Sequence, residues 1–220
     1  MQTSGNKETD LHLAVSVRSF RCEKIASFVQ SLLENQPEQA KVVFSSIKNN
    51  YPIFLTRNIN TAKQWLKQTA KGTERIGIVA SSGGRRLRAE GIDVKNEIDP
   101  ANWFLNDKDD VRSSYYLEEI ATEFDIQGLE IDFTCVAWDI NLHHDGKEWN
   151  YQNFKGSKWQ NINQDAARNY LLNSYRVLLT RARQGMIIFI PNVDNSDKTR
   201  TKAFYDQTFE YLQRCGLSEI

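Results

Sequence analysis

Ile53-Phe54-Leu55-Thr56 and Ile76-Gly77-Ile78-Val79-Ala80 bracket the stretch that decides the fold. Both are short apolar runs, the pattern of strands buried on both faces. Between them, Asn60 to Lys71 reads as a helix, and Gly72 stands where a helix stops. The second run ends in Ser81-Ser82-Gly83-Gly84, a turn. Strand, helix, strand in quick succession predicts an α/β fold with a twisted, mainly parallel sheet and helices on both faces.

Working outward, the flanks extend the pattern. Residues 1–10 are polar and read as a loose or linking segment, an unusual start that points to a piece of a longer protein. Leu11, Leu13, Val15 and Val17 alternate as a strand. Cys22 to Leu33 predicts a helix, with Ile25, Phe28, Val29, Leu32 and Leu33 at three- and four-residue steps. Pro37 interrupts before a shorter helical or mixed stretch through Val42, Val43 and Phe44. Downstream, Ile131–Trp138 predicts a strand and Asp165–Ala182 a helix. Met186–Ile190 is a strand stopped by Pro191, and Ala203–Arg214 is the last helix, with Gly216 beyond it. Between these lies a polar excursion, about 141–160, carrying Trp149, Tyr151, Phe154 and Trp159. It reads as a β-hairpin insert with its own aromatic cluster, or as a surface whose aromatics stack on nucleobases.

Composition removes other classes. The chain has 220 residues, 40% of them hydrophobic, which suffices for one sizeable core. Lys plus Arg and Asp plus Glu are 28 each, so a nucleic-acid contact has to come from a local patch. No apolar run reaches a membrane span and the N-terminus has no apolar signal core, so a cytoplasmic location is expected. Cys22, Cys135 and Cys215 are too far apart for a disulfide framework or zinc pattern and are expected to pack in the core.

Self-contained catalytic devices are missing. There is no G-x-x-x-x-G-K-[ST], no G-x-S-x-G and no H-E-x-x-H. His143-His144 reads as a solvated turn rather than a metal pair. Ser82-Gly83-Gly84-Arg85-Arg86 reads either as a phosphate-binding loop or as a plain turn.

Three segments stand out: Leu13 to Ser19, which delivers Arg18 after a strand; Thr122 to Asp132, with Gly128 before a strand; and Asn173 to Arg183. The last predicts a helix with an apolar stripe at Ala167, Leu171, Ser174, Leu178 and Ala182. Arg176 and Arg183, seven apart, share another face, and Arg181 stands near the helix end. Together they resemble motifs of the superfamily 1 helicases. Tyr175-Arg176-Val177-Leu178-Leu179-Thr180-Arg181-Ala182 looks like motif VI. Thr122, Gln127 and Gly128-Leu129-Glu130 look like motif V, with Phe124 where a histidine is common. Arg18-Ser19 looks like the arginine of motif IV, its preceding Asn-Tyr pair altered. The chain from about Leu11 on is similar to the C-terminal half of bacterial Schlafen-group-3-like DNA/RNA helicase proteins.

That resemblance implies a second RecA-like domain over residues 11–220. It implies the motor half of an ATP-dependent helicase or translocase, silent on its own. ATP and Mg2+ are implied to be held mainly by an N-terminal RecA-like domain of the same protein, and single-stranded DNA or RNA to be the partner. Arg18 and Arg181 are the implied γ-phosphate arginines, because a planar, permanently charged fork matches phosphate oxygens. Gln127, Gly128 and Glu130 are implied to line the ATP cleft, with Glu130 on the ribose, and Thr122 to face nucleic acid. All are expected to share one cleft at an edge of the sheet. Without the resemblance, Arg18 reads as a surface ion-pair partner, Arg181 as a helix C-terminal cation and Glu130 as a strand-edge charge. The rival function is a non-enzymatic nucleic-acid-binding or regulatory module that keeps a helicase-like fold.

Overall fold

A computed structural model describes residues 21–220. The strand expected over Leu11–Val17, and Arg18 after it, lie outside the described residues.

Helix α1 occupies residues 21–33, and α2 runs Pro37–Ile47. Pro37 begins α2 rather than merely interrupting, since a first-turn residue has no intrahelical N–H bond to lose. Then follow β1 (Ile53–Thr56), α3 (Ile59–Thr69), β2 (Ile76–Ala80), α4 (Pro100–Leu105), β3 (Ile120–Ala121) and β4 (Ile131–Ala137). The antiparallel strands β5 (Leu142–His144), β6 (Trp149–Lys155) and β7 (Lys158–Asn161) come next, before α5 (Asp165–Thr180). The chain ends with β8 (Ala182–Phe189), α6 (Lys202–Arg214) and β9 (Ser218–Glu219).

Six strands form one parallel sheet in the order β3-β2-β4-β8-β1-β9. Side chains alternate between two buried faces. Ile78, Cys135, Ile187 and Phe189 meet Ala62 and Leu66 of α3 on one face. Val79, Val136, Met186 and Ile188 meet Phe28, Phe44, Leu171, Leu178 and Phe209 on the other. This is the expected α/β, RecA-like arrangement, and it gives the domain two rims, the amino and carboxyl edges of the strands.

Gly77 shows how tightly the sheet is covered. A Cβ there would stand 2.6 Å from the Trp103 ring on α4, a helix capped by the Asp99 carboxylate. At the other end of the chain order, α5 and β8 meet earlier than expected. The helix stops at Thr180, Arg181 is its C-cap, and β8 starts at Ala182 rather than Met186. Arg183 is therefore a strand residue and does not share a helix face with Arg176.

The antiparallel insert packs on the carboxyl edge and α1. Trp149 is buried, stacks on Trp138 at 5.6 Å and donates to the Leu32 carbonyl. Phe154 and Trp159 pair across β6 and β7; Arg86 lies over Phe154, and Trp159 donates to the Thr199 carbonyl. His143 and His144 are buried too, stacked on Phe204 and Tyr211, which corrects the expectation of a solvated turn. Cys135 and Cys215 pack in the core as expected, whereas Cys22 is exposed.

Candidate functional site

The two rims differ in what their backbone leaves open. At the carboxyl edge, Ser82 to Arg86 could cradle an anion only through free N–H groups. All five are used. Ser82 N–H donates to Glu123 Oε2 at 2.8 Å and Arg86 N–H to Asp139 Oδ2 at 2.8 Å. Gly83 N–H reaches Ser81 Oγ at 3.3 Å, Gly84 N–H the Ser81 carbonyl at 2.7 Å, and Arg85 N–H the Gly83 carbonyl at 2.9 Å. The chain's own carboxylates stand where a phosphate would bind, so the turn reading holds and the phosphate-loop reading does not.

Asp139 is wholly buried at the end of β4. Burial pushes its carboxyl above the usual range, while hydrogen bonds from Tyr205, Ile140 N–H and Arg86 N–H oppose the rise. Tyr175 donates to Asn141 Oδ1 at 2.7 Å, and Asn141 Nδ2 to Ser81 Oγ at 3.0 Å. This buried network ties the strand ends, the insert, α5 and α6 together.

Thr122 also lies at the carboxyl edge, just after β3. It is buried, and its N–H and hydroxyl both donate to Asp125 Oδ2, each at 2.7 Å. From there the loop crosses one sheet face to the amino edge, where β4 starts. Gly128 holds φ at +81°, a left-handed turn that a Cβ would strain. Gln127, Gly128 and Glu130 are exposed at the end of this crossing.

Arg181 arrives at the same edge from α5. The Ile131 N–H donates to the Arg181 carbonyl at 3.1 Å, which brings Glu130 and Arg181 to neighbouring backbone positions. Tyr51 fixes the next residue by donating to the Ala182 carbonyl at 2.9 Å. Arg181 is half-buried, and its Nε is buried with no hydrogen-bond partner among the described residues. A buried guanidinium nitrogen without an acceptor is costly, and a ligand oxygen is one way to satisfy it.

Arg183 is held differently. It pairs with Asp132 at 2.6 Å, and Asp132 also accepts from Gln184 Nε2 and from the Arg75 N–H. Burial pushes the Asp132 carboxyl up, but these hydrogen bonds outweigh it and hold the pKa below the usual value. Gln184 continues to Glu74 at 2.8 Å. This scaffold is invisible in the motifs, because its members lie as much as 110 residues apart.

The structure thus joins Gln127, Gly128, Glu130 and Arg181 at the amino edge and places Thr122 at the carboxyl edge. One shared cleft, as expected from the motifs, is replaced by two rims bridged by the 122–130 loop. Among the described residues no group of three His, Cys, Asp or Glu side chains could hold a metal ion. No described helix is long and apolar enough to cross a membrane.

Comparison with curated proteins and with solved structures finds no match. The family model for "Schlafen group 3, DNA/RNA helicase domain" matches residues 1–192, from the N-terminal segment through β8 and so through every motif discussed above. The match spans most of the chain and the whole of the parallel sheet up to β8, so the domain is helicase-like and nucleic-acid-binding in kind, and the chain belongs to the Schlafen group 3 DNA/RNA helicase domain family.

Proposed function

We propose that the chain is the second RecA-like half of an ATP-driven DNA/RNA helicase or translocase. In this reading its amino edge faces a nucleotide held mainly by another RecA-like domain. The observation that carries the reading is the adjacency of Glu130 and Arg181, with the Arg181 Nε buried and without a hydrogen-bond partner among the described residues.

The residues at this edge fit one end of a nucleotide. Glu130 is proposed to face the ribose hydroxyls, and Arg181 to present a charged planar fork to terminal phosphate oxygens. They do not fit magnesium, for want of grouped carboxylates among the described residues. The bound nucleotide supplies a phosphoryl group that is transferred to water. Arg181 stabilises the negative charge that gathers on that group, an effect set up in advance by fixing its backbone between α5 and β8. Arg18, after the expected first strand, is the second arginine proposed for the same phosphate. Its contact would vanish with that phosphate, which couples the chemical state to domain closure. Thr122 lies on the opposite rim, proposed to face nucleic acid. Its N–H and hydroxyl are both given to Asp125, so its part there is to hold the turn that carries Phe124 rather than to donate to a phosphate. The separation of the rims keeps the two ligands apart.

ATP turnover by the complete gene product, with and without single-stranded nucleic acid, tests this reading. Turnover should rise with the strand present, while the 220-residue chain, which contains no P-loop sequence, should hydrolyse nothing alone. Robust turnover by the chain itself, abolished by changing one of its own residues, would overturn the half-site assignment.

A further inference from the structure

We infer that Phe124 and Tyr170 form a stacking platform for bases of single-stranded nucleic acid. The inference deepens the proposed function at its nucleic-acid rim and rests on that reading.

Most large apolar side chains of the described domain are buried, but Phe124 is 57% and Tyr170 54% exposed. They come from different elements, the loop after β3 and helix α5, yet their ring centroids lie 6.4 Å apart with planes inclined by 34°. That spacing is at the wide end of a direct ring pair, about 4.5–7 Å, so each ring keeps most of its surface open. Two exposed aromatics kept side by side cost hydration free energy that their mutual contact recovers only in part.

Both rings stand on rigid supports. Thr122 clamps Asp125 on either side of Phe124, and the Ile126 N–H returns to the Thr122 carbonyl at 3.2 Å. Ile126 is fully buried, and Glu123 is tied to Ser82 through two hydrogen bonds of 2.8 Å. Beneath Tyr170, Leu171 and Ser174 are buried, and Ser174 Oγ donates to the Tyr170 carbonyl. The platform is thus preorganised, which lowers the ordering cost of binding.

Its surroundings suit a nucleic-acid strand. Arg85 is exposed three residues past Ser82, on the turn that Glu123 anchors, and offers a cation for a backbone phosphate. Aromatic faces accept any base, because every base has a π-face. The platform therefore binds without sequence preference.

Binding of a labelled oligo(dT) strand to the 220-residue chain, followed by fluorescence anisotropy, tests the platform. Phe124→Ala and Tyr170→Ala should each weaken binding by roughly 5- to 100-fold, the usual loss per stacked base. Phe124→Trp should retain it. An abasic strand of the same length should bind wild type and both alanine variants equally, since only phosphate contacts remain. Thermal midpoints near wild type would confirm that the variants are folded. If the alanine variants bind oligo(dT) like wild type, the platform is wrong while the nucleic-acid reading stands. If wild type binds neither strand, both fail. If sedimentation instead shows a dimer that the double alanine variant dissolves, the rings serve self-association and the inference is overturned.

Discussion

The backbone N–H of Ile131 donates to the carbonyl of Arg181 at 3.1 Å. This one bond sets the start of β4 level with the start of β8, and with it Glu130 beside Arg181. Residues 51 positions apart become neighbours because parallel strands place their amino ends on one rim.

The Asp132 scaffold behind that rim should be structurally costly to remove. Asp132→Ala leaves the Arg75 N–H, Gln184 and Arg183 without their shared acceptor. Arg183 is partly exposed, so most of the loss comes from the buried hydrogen bonds rather than the ion pair. A loss of about 1.5–3 kcal/mol is expected, with Asp132→Asn milder. Urea midpoints at neutral pH check it; equal midpoints for wild type and Asp132→Ala would contradict the scaffold.

Gly77→Ala tests the packing of α4 on the sheet. Its new Cβ would stand 2.6 Å and 2.8 Å from two atoms of the buried Trp103 ring. The ring is also fixed by its Nε1 donating to the Glu119 carbonyl, so it cannot shift freely. Overpacking of this kind costs about 1–3 kcal/mol. A lower unfolding midpoint at unchanged denaturant slope is expected; an unaltered midpoint would show that α4 is loosely held.

Acid should loosen the junction between α1, α6 and the insert. His144 Nδ1 accepts from the Gly146 N–H at 3.0 Å, and Nε2 faces Asn35 Oδ1 at 2.9 Å. These partners assign a neutral ring protonated on Nε2. Burial, with the charge of Arg214 next, pushes its pKa from 6.5 down to about 4. The unfolded chain therefore binds more protons than the folded one between those values, and stability falls as pH drops from about 6.5 to about 4. His143 is shifted in the same direction, chiefly by burial. His144→Gln should lower stability at pH 7 yet flatten its fall toward pH 4.5, read from urea midpoints across the range. An equally steep fall in the variant would remove His144 from the account.

How much of this was legible in the sequence depends on distance along the chain. The strands β1, β2 and β4 show as apolar runs because both faces of a parallel sheet are buried. The α5–β8 junction does not show. Arg181-Ala182-Arg183 contains neither Gly nor Pro, and Ala182 continues the stripe of Leu178, so the helix pattern runs on past its true end at Thr180. The two-residue strand β3 is too short for any periodicity to register. Gln127, Gly128, Glu130 and Arg181 are singled out in the sequence because each motif is local. The supports around that rim were not: Tyr51 with Ala182 is 131 residues apart, Arg183 with Asp132 is 51 and Gln184 with Glu74 is 110. At the glycine turn, Glu123 and Asp139 take the N–H groups of Ser82 and Arg86 from 41 and 53 residues away, while Ser81 takes those of Gly83 and Gly84 locally. The insert is antiparallel, as its pattern indicates, and Phe154 pairs with Trp159 inside it, but the contacts of Trp149 with Trp138 and of Trp159 with the Thr199 carbonyl reach beyond any local pattern.

The central claim is that Arg181 acts on the transferring phosphoryl group. Arg183 lies on the same edge but is committed to Asp132, so its loss should act mainly through stability. The most direct measurement is kcat for ATP hydrolysis by the complete gene product carrying Arg181→Ala, Arg181→Lys or Arg183→Ala, with the thermal midpoint of each. Arg181→Ala should lower kcat by roughly 10³-fold or more at a near-normal midpoint, with poor rescue by lysine, which keeps the charge but loses the two-pronged geometry. Near-normal kcat for Arg181→Ala at normal stability, or a larger kcat loss for Arg183→Ala, would contradict the assignment.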